Sequence, residues 1–150
     1  MKHRSTVVAL ALAAAFTAAG CSHLMMMMHG KNVSRPDAAE FGVGPRASVA
    51  GHFTATLQPD QPLRPRRMQT VRVAIVDASG RPVDDARIVV DGGMPQHGHG
   101  LPTRPRVTRA LGQGLYEIEG VRFNMGGWWE FTLAITAPSG ADVVTFNLDL

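Results

Sequence analysis

Trp128-Trp129-Glu130-Phe131-Thr132-Leu133-Ala134-Ile135-Thr136 sets Trp129, Phe131, Leu133 and Ile135 against Glu130, Thr132, Ala134 and Thr136. A period of two is the signature of a strand with one face in a core and one in water. Trp128 then points away from that core. Its ordinary reading is an edge or half-buried aromatic, and its functional alternative is a lid over a bound cation, because indole is the best cation–π partner.

Working outward, Pro138-Ser139-Gly140 turns the chain, and Val144, Phe146, Leu148 and Leu150 line one face of a last strand. Upstream, Phe53, Ala55 and Leu57 alternate with polar residues up to Pro59. Val71, Val73 and Ile75 do the same within 70–77. A short strand with the apolar centre Ile88-Val89-Val90 spans 86–91, and another spans 107–111 before the turn Gly112-Gln113-Gly114. In 115–121, Tyr116 and Ile118 face inward while Glu117 and Glu119 face water. Seven short strands separated by Gly, Pro, Ser and Asp turns predict an all-β fold, an immunoglobulin-like antiparallel β-sandwich over residues 51–150.

The first 50 residues read differently. Lys2, His3 and Arg4 precede an uncharged apolar run, Val7 to Ala19, that is too short to span a bilayer and ends in Ala18-Ala19-Gly20-Cys21. This is the pattern of a signal peptide over residues 1–20, and the lone cysteine resembles the lipid-modified residue of a bacterial lipoprotein. Such a chain faces the periplasm, and Ser22 after the cysteine suits an outer-membrane anchor. Residues 21–50, rich in Gly, Pro and Ser, read as a flexible tether. Within the tether lies His23-Leu24-Met25-Met26-Met27-Met28-His29, which reads as a membrane-proximal stretch or as a soft-metal capture arm.

Charge and motifs exclude several function classes. Losing Lys2 and Arg4 with the leader leaves 13 basic against 12 acidic side chains, a net charge of +1. That gives little electrostatic reason to bind nucleic acid. Neither a nucleophile elbow nor a zinc-protease motif is present, and Glu117 and Glu119 have no evident acid–base partner, so an enzyme is not expected.

The chemistry-bearing stretch is Met94-Pro95-Gln96-His97-Gly98-His99-Gly100. Residues i and i+2 of an extended segment share a face, so His97 and His99 can present two imidazoles together. Met94 at a strand exit and Met125 at a strand entrance could add sulfur if their loops share an end of the sandwich. Imidazole with thioether suits copper, Cu(I) above all, better than zinc. With no cysteine thiolate in reach, a blue-copper electron-transfer centre is not expected. The alternative is a solvated Gly/Pro loop. His52 and the basic connector Arg64-Pro65-Arg66-Arg67 read as solvated.

Met94-Pro95-x-His97-Gly98-His99-Gly100-Leu101-Pro102, then Gly114-Leu115-Tyr116, then Phe123-x-Met125-x-Gly127-x-Trp129, resembles the YtkA-like/FixH-like family of small exported or membrane-anchored bacterial β-sandwich domains. The resemblance covers about residues 50–150. It implies an immunoglobulin-like fold, an envelope location and a connection with copper handling or respiratory oxidase assembly. The expectation is a lipid-anchored envelope protein that binds copper through Met94, His97, His99 and Met125, for storage, delivery or tolerance, and passes it to another envelope protein. The alternative is a non-metal interaction module that uses the Gly/Pro loop and Trp128. Nothing in the sequence fixes the oligomeric state.

Overall fold

The computed structural model describes residues 33–150. Seven long strands carry the fold: β2 (Phe53–Pro59), β3 (Met68–Asp77), β4 (Arg87–Met94), β6 (Arg106–Gly112), β7 (Leu115–Arg122), β8 (Trp128–Ala137) and β9 (Gly140–Asp149). Two more, β1 (Arg46–Ala47) and β5 (His99–Gly100), are two residues long. These seven long strands are the seven that alternation predicts, with bounds shifted by a few residues.

All the pairing between named strands is antiparallel, in the order β1-β2-β3-β7-β6-β4-β8-β9, with β5 on β4. The sheet folds over between β6 and β4, which meet at a single pair, Val89 and Arg106. The two halves thereby become the layers of a sandwich. At the far side the layers nearly close, because the Val49 amide donates to the Val143 carbonyl of β9 at 3.0 Å.

One core lies between the layers. From the first layer come Phe53, Ala55, Leu57, Val71, Val73, Ile75, Tyr116 and Ile118; from the second come Trp129, Phe131, Leu133, Ile135, Val144, Phe146 and Leu148. All are those the alternation points inward, and each is buried. Fully burying one such aliphatic or aromatic side chain stabilises the fold by about 1.5–3 kcal/mol, so the pattern is also the main driving force. Phe123 stands edge-on to Trp129 at 5.2 Å between ring centroids. Tyr116 keeps its hydroxyl satisfied inside: it donates to the Val83 carbonyl at 2.6 Å and accepts from the Ala86 amide at 2.9 Å. Burial pushes its pKa up.

Three expectations need correction. The domain begins before Gly51. The Gly42 amide donates to the Asn147 carbonyl at 2.9 Å, the Leu57 amide donates to the Val43 carbonyl at 2.9 Å, and Ser48 is buried. Residues 41–50 therefore belong to the sandwich, because their backbone groups complete its closing edge. The Asp142 carboxylate fastens this segment by accepting from the Ala50 and His52 amides. The Ser48 hydroxyl and these amides, with that of Val143, hold its pKa well below the usual carboxylate range.

Second, Trp128 does face away from the core, yet only 3% of it is exposed. Phe41 covers it edge-on at 6.4 Å, and its indole N–H donates to Asn147 Oδ1 at 3.0 Å. Third, Glu117 is not free in water: Arg109 clasps it with two hydrogen bonds of 2.8 and 2.7 Å, which lowers its pKa. Cys21, His23, Met25 to Met28 and His29 lie outside the described residues.

Candidate metal centre

The site end of the sandwich is built by β4 and β8. Their register sets Gly93 opposite Glu130, so β4 leaves the sheet at Met94 beside the start of β8. The chain then reverses through Pro95-Gln96-His97-Gly98 and returns as β5, with His99 opposite Met94 and Gly100 opposite Gly93. A four-residue hairpin loop needs a left-handed residue at its close, and Gly98 provides it with φ +64°. The Met94 carbonyl accepts from both the His97 amide (3.0 Å) and the Gly98 amide (2.9 Å), and the Leu101 amide donates to the Gly92 carbonyl at 3.0 Å. The hairpin is close-packed: a Cβ on Gly93 would stand 2.6 Å from the His99 carbonyl oxygen.

This hairpin brings the two imidazoles together. The His97 and His99 rings are nearly parallel, 13° apart, with centroids 6.2 Å from each other, and both side chains are exposed. Their approach arises differently from the expected route. His97 belongs to the turn and only His99 to a strand, so the pairing comes from the reversal of the chain. A nitrogen ligand sits about 2 Å from a bound first-row ion, so two rings sharing one ion stand about 5–6 Å apart between centroids. The observed separation is close to that span; because an ion lies in the plane of each ring that binds it, planes this nearly parallel need one ring to turn, and both side chains are exposed.

The sulfur donors reach the same end by another path. After β7 the chain crosses to β8 through residues 123–127. Trp129 holds this loop with its indole N–H on the Met125 carbonyl at 3.1 Å. Gly127 and Leu150 exchange backbone hydrogen bonds of 2.7 and 3.1 Å. The loop touches the hairpin strand where the Met94 methyl faces Gly127: a Cβ there would lie 3.0 Å from it. Met94, His97, His99 and Met125 thus gather at one end of the sandwich.

They are not equivalent. Met125 is 37% exposed, whereas Met94 is 2% exposed and packed in the core, so its sulfur is covered. Among the described residues no group of three His, Cys, Asp or Glu side chains is placed to hold a metal ion. A third protein side-chain ligand for an ion on His97 and His99 would therefore be a thioether. Thioether sulfur is a soft donor and a poor ligand for zinc. His52 is exposed beside Gly140, Asp77 and Arg81 at the opposite end and takes no part. Covered by Phe41, Trp128 is no lid. Sequence reasoning missed the role of Trp129 in holding Met125, because a tryptophan that faces inward signals packing and does not reveal where its N–H goes.

A family model for YtkA-like domains matches residues 48–134, more than half of the 150-residue chain. No curated protein and no solved structure matches it.

Gly127 combines φ +118° with the Met94 contact, whereas Gly98, at φ +64°, has open space around its missing Cβ. Gly98→Ala is expected to cost about 1 kcal/mol, from the left-handed backbone alone. Gly127→Ala should cost about 2–3 kcal/mol, because strain and crowding add. Urea denaturation of both variants checks this, and a Gly127→Ala cost no larger than that of Gly98→Ala would contradict the contact.

Proposed function

The chain belongs to the YtkA-like family, and we propose that it is a lipid-anchored protein of the bacterial envelope that binds copper at the hairpin end of its sandwich. The observation that carries this reading is the exposed His97 and His99 pair, with ring centroids 6.2 Å apart, at the same end of the fold as Met94 and Met125. His97 and His99 supply nitrogen to either oxidation state of copper. Met125, already facing solvent, supplies the first thioether. Met94 is the second, available only when its sulfur is uncovered. Thioether donors favour Cu(I), and bound copper here would be cargo for storage, delivery or tolerance.

Binding and transfer need no acid–base machinery, which agrees with reading the chain as a non-enzyme. The resemblance to the YtkA-like/FixH-like family, concentrated in the Met-Pro-x-His-Gly-His-Gly segment, suggests a connection between this cargo and respiratory oxidase assembly. The receiving partner is then another copper-binding protein of the envelope. The leader and Cys21 support a lipid anchor with the domain facing the periplasm, and Ser22 after the cysteine supports the outer membrane.

Anaerobic Cu(I) titration against a competing chelator tests the site in a chain starting at Lys31, which keeps every described residue. Tight one-to-one binding is expected, weakened at least about a hundredfold in His97→Ala/His99→Ala, beyond the 10–100-fold typical of losing an outer-shell partner. Unchanged affinity in that variant would falsify the assignment. Replacing Cys21 by Ser should move the protein from the membrane to the soluble fraction. Continued membrane association would remove the lipid anchor from the account.

A further inference from the structure

The fold-over between the two layers leaves a feature that the metal site does not use. β4 and β6 touch at one pair, Val89 with Arg106, and diverge on either side of it. The resulting cleft has a volume of about 410 Å³, and Arg87, Arg104 and Arg106 all line it. Among the described residues, ion pairs are made by Arg35, Arg72, Arg81 and Arg109, and not by these three. The acidic groups nearby are Asp91, on the cleft itself, and Glu119, opposite Arg106 on β7. The Asp91 carboxylate is occupied with the Gly92 amide at 2.7 Å.

Two further observations mark the cleft as a site for a ligand. The Thr103 hydroxyl, on the cleft wall, is buried with no hydrogen-bond partner. Buried polar groups are ordinarily paired, so this one calls for a missing partner. Val89 is 52% exposed in the middle of a strand, an apolar surface beside the three guanidinium groups. Planar guanidinium groups bind phosphate oxygens through paired hydrogen bonds, and three of them against the two carboxylates leave an excess of positive charge for an anion.

We infer that the β4–β6 cleft binds a phosphate group, held by Arg87, Arg104 and Arg106 with the Thr103 hydroxyl, with space over Val89 for the organic part of a phosphate ester. The phosphate belongs either to a lipid headgroup or to a soluble compound. This site is separate from the metal centre and does not depend on it.

The test uses the mature chain carrying Cys21→Ser. Amide NMR shifts are followed during titration with inorganic phosphate at constant ionic strength, and co-sedimentation is measured with phosphatidylcholine vesicles with and without phosphatidylglycerol. The expected result is saturable movement of amides in 87–91 and 103–106, or sedimentation with the anionic vesicles alone. Either response should weaken at least about tenfold in Arg104→Gln/Arg106→Gln. Thr103→Val, which removes no charge, should weaken it several-fold with an unchanged circular dichroism spectrum. A response to phosphate identifies a soluble source, and a response to the anionic vesicles alone identifies a lipid headgroup. Shifts reproduced by chloride, binding that survives the double arginine variant, or no response to either probe would overturn the inference.

Discussion

The pairing of β4 with β8 is the constraint on which the candidate site depends. The apolar alternation of β8 commits Trp129, Phe131, Leu133 and Ile135 to the core. The ladder then sets Ile88 opposite Ile135, Val90 opposite Leu133 and Gly93 opposite Glu130. A slip of one residue would turn Ile88 and Val90 outward and lift Met94 from the core, so burial enforces this register. Once it is set, β4 must end beside the start of β8. The imidazole hairpin and the Met125 loop consequently meet without any interaction between the imidazoles and the sulfurs being required for folding. The core carries the position of the hairpin and the loop, so the exposed His97, His99 and Met125 side chains are not needed to hold the fold.

Much of this was legible in the sequence because burial in a sandwich has a period of two. Phe53-Thr54-Ala55-Thr56-Leu57 and the run from Trp129 to Ile135 each name their inward face without ambiguity, and the structure follows them. Ile88-Val89-Val90 was harder. Three consecutive apolar residues suggest burial on both sides, yet Val89 lies outside on a strand whose neighbour pairs with it only once. Residues 41–50 were misread for a physical reason as well. Their place in the fold rests on backbone hydrogen bonds to β9 and on β2, and backbone pairing leaves no trace in side-chain pattern.

Trp128 shows how the same gap affects a functional reading. Alternation correctly sends it away from the core, where it looks available as a lid or as a binding aromatic. Phe41, from the segment read as tether, closes over it, and Asn147 takes its N–H. A non-metal interaction surface built on Trp128 loses its main anchor. Among the four proposed ligands, the sequence did not reveal which are exposed. His97, His99 and Met125 face solvent, and Met94, at the end of the inward face shared with Ile88 and Val90, does not.

The central claim is that two imidazoles and the thioethers beside them form one centre. Its most direct test is an anaerobic Cu(I) titration of the chain from Lys31 labelled with ¹³C at the methionine methyls and ¹⁵N in the imidazole rings. The account predicts that the Met125 methyl and both the His97 and His99 ring signals shift together and stop at one equivalent, with the Met94 methyl moving last or with them. Ring signals that saturate while both methyls stay in place, or methyls that respond to a separate equivalent, would contradict it.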